Sequence, residues 1–258
     1  MRTVGHDLDL AAIQRQLDRA RAAVHPDPAE QKDARARANA YFFKNLVDNG
    51  LTVARAGYLY DLGPPEIQKV LRDALFYAQE MLDIAGAVSP IEIRKYLGAA
   101  LISGNVSLVK WLAQLHKDSY TLPAIEINRA GYMLVQALQA GALGERKEFD
   151  ALQKEFAANI SSKKLKVNPR SAQEIYEPLS GLLQSISLRD QAAFEKAWAA
   201  QAAAWKKRWS RPSEKANNNG VLDLEALGIG RIAQNFGLKV PDTNPYAPLE
   251  LLANGKSQ

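Results

Sequence analysis

Residues 221–252 read VLDLEALGIGRIAQNFGLKVPDTNPYAPLELL, a short helix closed by a proline-punctuated tail. Asp223 stands where a carboxylate caps or charges a helix start. Leu224, Leu227, Ile229, Ile232 and Phe236 supply the apolar face that follows. Gly237 stops the helix. Pro241, Pro245 and Pro248 forbid its continuation, because proline has no amide hydrogen to donate and its ring collides with the preceding turn.

The same grammar extends back along the chain. Helical spacing predicts helices over 8–24, 29–48, 52–62 and 65–85, stopped by His25-Pro26-Asp27-Pro28, Asn49-Gly50 and Gly63-Pro64. Ser89-Pro90-Ile91-Glu92 is an N-cap with proline in the first turn and an acid behind it, opening a helix to about 103. A pattern then recurs: helix, very short turn, second helix with an aromatic anchor. The pairs are 89–103 with 106–117, 126–139 with 145–159, and 171–186 with 189–209, anchored by Trp111, Phe149 and Phe194. Equivalent turns fall roughly 40 residues apart, the spacing of stacked helical hairpins. The expected fold is all-α: a single domain over 1–258 with ten to twelve helices in an irregular stack of antiparallel hairpins. Within it the helical body spans 8–209 and a flexible connection, SRPSEKANNNG, spans 210–220. The closing helix and tail occupy 221–252.

Composition narrows the function classes. At 47% hydrophobic residues the chain can bury a core, and the Val, Ile and Thr runs that strands need are scarce. The absence of cysteine excludes disulfides and thiolate-bound zinc. The opening MRTVGHDLDLAAIQ has neither an apolar export segment nor a small-residue cleavage site. The most apolar run, 99–115, is broken by Asn105 and Lys110, so no membrane span is expected and the location read from the sequence is cytoplasmic. Net charge is +5, but residues 163–215 alone carry 11 Lys/Arg against 5 Asp/Glu, so the whole excess is local.

Motifs for chemistry are missing. Gly228-Ile229-Gly230-Arg231-Ile232-Ala233 matches a dinucleotide fingerprint in letters only, since no strand precedes it and the chain nearly ends there. Its glycines read as close helix packing. His6, His25 and His116 lack metal-ligand spacing, and there is no nucleophile elbow and no phosphate-cradling loop. No catalytic residue, metal or cofactor is therefore assigned. Phe194, Trp198, Trp205 and Trp209 form one helical stripe, read as core packing or as an aromatic platform, with Trp209 expected to be the most exposed. The loop 160–170 carries Lys163, Lys164, Lys166 and Arg170, and the loop 117–125 carries Tyr120. Long loops on a rigid helical scaffold are the usual place for recognition, so these five residues are the candidate partner contacts.

The order of elements in 221–252 resembles the C-terminus of immunity protein family forty-nine of bacterial polymorphic toxin and type VI secretion systems. The resemblance lies in the helix LDLEALGIGRIAQNFGL and the tail positions Pro241, Pro245, Tyr246 and Pro248. It implies a cytoplasmic antitoxin without chemistry, which binds a cognate toxin domain and occludes its active site. Two other readings stand beside it. One is a helical-repeat adaptor for an unrelated protein, and the other is a nucleic-acid binder using the basic segment. The last should lose affinity steeply with salt.

Overall fold

The computed structural model describes residues 2, 5–60, 62–115, 127–161, 170 and 172–253. The chain is all-α, with twelve α-helices and no strand among the described residues. The first four helices are α1 (Leu10–Ala23), α2 (Pro28–Ala36), α3 (Ala40–Tyr60) and α4 (Pro64–Ala85). Side-chain caps start the first two: the carboxylates of Asp9 and Asp27 accept from Ala12 N at 2.9 Å and Ala29 N at 2.7 Å. Here the sequence expectation needs correction. Asn49-Gly50 does not stop a helix. Both residues lie inside α3, and the break comes at 37–39, where Ala38 takes a left-handed φ of 51°. Gly50 serves packing instead, because a Cβ there would lie 2.5 Å from Ala74 Cβ on α4. The missing side chain lets two long helices touch.

Three hairpins follow. They are α5 (Pro90–Ser103) with α6 (Val106–Ala113), α7 (Ile127–Leu143) with α8 (Arg146–Ser161), and α9 (Glu177–Leu188) with α10 (Gln191–Trp209). A π-helical turn, Ala172–Tyr176, leads into α9. Ser89 and Glu92 close a reciprocal capping box at the start of α5. Each hairpin turns in the same way. A left-handed residue ends the first helix, at Gly104 (φ 68°), Gly144 (φ 74°) and Arg189 (φ 53°), and its neighbour precedes the next. Asn105 and Asp190 cap those next helices through Leu108 N at 3.1 Å and Ala193 N at 3.0 Å. The tips share one end of the stack. Gly131 and Pro90 adjoin at the starts of α7 and α5, and Ser187 donates to Asp150 at 2.6 Å between the second and third hairpins.

The closing helix α11 (Leu224–Asn235) lies against all three hairpins. Leu224, Leu227, Ile229, Ile232 and Ala233 are buried around nearly its whole circumference, which marks a core helix. Burying each large apolar side chain stabilises the fold by roughly 2 kcal/mol. The crossing with α5 is backbone to backbone: a Cβ on Gly98 would sit 2.4 Å from Leu224 O, and one on Gly228 would sit 2.8 Å from Gly98 Cα. The fingerprint-like glycines are thus packing glycines. The tail then folds onto the N-terminus. Asp223 N donates to Tyr246 O at 2.7 Å, and the buried Tyr246 ring lies 5.2 Å from His6. Leu251 and Leu252, both in the short α12 (Glu250–Ala253), are buried as well.

Residues 210–220 are tied to the body through both α1 and α10. Gln16 Nε2 donates to Ala216 O at 2.5 Å, Asp9 N donates to Lys215 O at 2.9 Å, and Trp205 Nε1 donates to Gly220 O at 3.0 Å. This return explains a second correction. Trp209, expected to be the exposed member of the aromatic stripe, is only 5% exposed, because Gly220 packs against its Cβ. Phe194 and Trp198 are fully buried, so the stripe is core.

Candidate partner-binding surface

Lys206, Lys207 and Arg208 fill the last turn of α10, where cations favour the negative end of the helix dipole. Past the helix end the chain doubles back, and Arg211 donates to the carboxylate of Glu174 on the π-helical turn. Arg170 Nε reaches the same side chain, 3.5 Å from Glu174 Oε2. The Glu174 side chain is only 9% exposed, so it is a nearly buried anion with cations closing over it. The Arg211 hydrogen bond is the main reason its carboxyl is held below the usual carboxylate range. Burial opposes that shift, and the charges of Arg211, Arg170 and Lys207 add to it. Three cations therefore converge on one acid, with exposed Lys206 alongside. The result is a positive surface on a rigid base, suited to acidic partners.

Of the five residues chosen from the sequence, Arg170 is exposed in this cluster, and Tyr120, Lys163, Lys164 and Lys166 lie outside the described residues. Sequence reasoning did not single out Glu174, Lys207 or Arg211. The charge excess over 163–215 pointed to the region, but the pairing of Arg211 with Glu174, 37 residues apart, has no local signal.

Two further sites test for chemistry. An open groove of about 500 Å³ between the end of α1 and the first half of α3 is lined by His25, Asp27, Glu30, Phe42, Asn45 and Asp48. Two of its three carboxylates are engaged already, Asp27 in capping α2 and Asp48 in a 2.6 Å bond from Lys44. The other site is a buried charged layer where α3, α5, α10 and α11 meet. Arg94 Nε lies 3.0 Å from Glu225 Oε1. Arg55 is buried, and desolvation brings its guanidinium down to about 10 despite the nearby Asp48, Asp223 and Glu225. The cavity beside Arg94 and Glu225 is about 10 Å³, room for about one water and no substrate. Among the described residues no group of three His, Asp or Glu side chains is placed to hold a metal. No helix among them is long and apolar enough to cross a membrane.

A family model described as Immunity protein 49 (Imm49) matches residues 92–251. That span takes in most of α5, the later hairpins, the basic cluster and the closing helix. No curated protein and no solved structure matches the chain.

Proposed function

Because the chain belongs to the immunity protein 49 family, we propose that it is an antitoxin, which binds a cognate secreted toxin domain and occludes its active site. The observation that carries this reading is the family match over well more than half the chain. The basic cluster at Arg170, Lys207 and Arg211 supports a partner with an acidic face. On this reading the protein is a cytoplasmic binder in a polymorphic toxin system, one delivered by type VI secretion. It needs no cofactor and performs no catalysis, since neutralisation requires only that the complex outlast the toxin's encounter with its substrate. Lys163, Lys164, Lys166 and Tyr120 are proposed as contacts together with Arg170.

The test is co-expression with the toxin encoded beside this gene. Cells should die without this protein and survive with it. Reversing Lys163, Lys164, Lys166 and Arg170 to glutamate should slow association at least tenfold or abolish rescue. Survival of cells expressing the toxin alone, or no rescue by the intact chain, removes the reading. The basic cluster also fits phosphate, so binding to duplex DNA is measured in parallel. Affinity for DNA that falls steeply with salt and competes with toxin would favour nucleic acid instead.

A further inference from the structure

The third hairpin tip departs from the other two. At the first and second tips the left-handed residue is glycine, at φ 68° and 74°, whereas at the third it is Arg189 at φ 53°. A left-handed backbone is strained for a residue with a Cβ and free of strain for glycine. The strain is held by a rigid frame. Arg189 N donates to Ile186 O and Asp190 N to Ser185 O, both at 3.1 Å. The Gln191 side chain clamps Lys239 from both sides, donating to its carbonyl at 2.8 Å and accepting from its amide at 2.9 Å. On this frame Leu188 is 67% exposed. Arg189 is exposed and makes no ion pair among the described residues, and Lys239 is exposed beside it. An apolar side chain and an uncommitted guanidinium on a pre-organised backbone make an interface anchor. Strain retained where glycine would serve points to a side chain needed outside the fold.

We propose that Leu188 and Arg189 anchor the toxin domain, with Leu188 entering an apolar pocket and Arg189 pairing with a carboxylate at its rim. This assignment rests on the immunity reading. The carboxylates nearest this tip are already engaged, Asp190 in capping α10, Asp150 by Ser187 and Glu195 by Gln191, so the guanidinium of Arg189 is left to meet a carboxylate of the partner. The tip and the basic cluster sit at opposite ends of α10, whose 19 residues span about 28 Å. One partner covering a standard patch of about 800 Å² reaches both.

The experiment titrates Leu188→Ser and Arg189→Gly variants of the full chain against a catalytically inactivated form of the neighbouring gene's toxin domain, with a thermal melt of each. Each substitution should weaken binding tenfold or more. Arg189→Gly should do so while melting at the same or a higher temperature, because glycine relieves the left-handed strain. Affinities within twofold of wild type for both variants overturn the anchor and leave the immunity reading intact. A lower melting temperature for Arg189→Gly also overturns it, since the side chain would then be holding the fold. No binding by the wild-type chain removes the immunity reading, and the anchor with it.

Discussion

Gln201 donates from Nε2 to the carboxylate of Asp223 at 2.7 Å inside the core, and the other end of the same amide, Oε1, has no partner among the described residues. The second oxygen of Asp223 caps α11 through Ala226 N at 2.9 Å. One fully buried acid thus starts the closing helix and joins it to α10.

Asp223 makes stability depend on pH. Burial pushes its carboxyl from 3.8 up to about 7, against the hydrogen bonds from Ala226 and Gln201 that favour the charged form. Between those values the folded chain holds a proton that the unfolded chain has released. The contribution of this group therefore grows as pH falls from about 7 towards 4, and is lost as pH rises through 7. Asp223→Asn keeps the cap, and with the Gln201 amide turned over it offers a donor to the unpartnered Oε1. The variant should melt above wild type at pH 8, by the equivalent of about 2 kcal/mol, and converge with it near pH 4. Calorimetry at the two pH values checks this, and a lower melting temperature for the variant at pH 8 would refute it.

His6 acts with the opposite sign. Burial, then the charge of Lys206, lowers its imidazole below 6.5, with Asp7 pulling the other way. Neither ring nitrogen has a hydrogen-bond partner among the described residues. As pH falls through 6.5 the unfolded chain takes up a proton that the folded chain resists, so the stability present above 6.5 is lost below it. His6→Phe, which keeps a ring against Tyr246, should flatten the acid limb of a melting-temperature profile. A variant profile parallel to wild type below pH 6.5 would show that His6 does not shape it.

The crossing of α5 and α11 tolerates no side chain. Gly98→Ala would bring a Cβ within 2.4 Å of Leu224 O, a backbone atom that cannot rotate aside. A loss of about 3 kcal/mol or more is expected, read as a lower urea midpoint. Gly181→Ala, whose Cβ would meet the Ala197 Cβ at an ordinary 3.7 Å, should fall within about 1 kcal/mol of wild type and serves as the control.

Gly104→Ala and Gly144→Ala separate backbone strain from crowding. Both positions have positive φ and open space where a Cβ would go. Each substitution should destabilise the chain by about 1 kcal/mol through conformation alone. Unchanged urea midpoints for both would mean that the tips relax out of the left-handed region at no cost.

Much of the candidate surface was hidden from the sequence. The charge count over 163–215 located the basic zone, in which Arg170 lies 3.5 Å from Glu174. Glu174 and Arg211 could not be paired in advance, because two residues 37 apart meet only once α10 and the return of 210–220 are in place. Leu188 fell in the short turn expected between 171–186 and 189–209, with nothing local to set it apart. Its exposure and the left-handed Arg189 beside it are consequences of how the third hairpin turns.

The sequence by itself determined the class of the fold and most helix boundaries. Capping is a local interaction, closed within three residues at Ser89, Asn105, Asp190 and Asp223, and left-handed glycines end helices at Gly86 and Gly104. Tertiary structure decided what local chemistry leaves open. Asn49-Gly50 reads as a stop, yet it continues α3 because burying Gly50 against Ala74 outweighs glycine's poor helix propensity of about 1 kcal/mol. Trp209 ends a helix and is buried all the same, because Gly220 returns to cover it. An apolar or charged face shows that a helix has a partner. Which partner it meets depends on contacts between residues far apart in the chain, and no short stretch of sequence contains them.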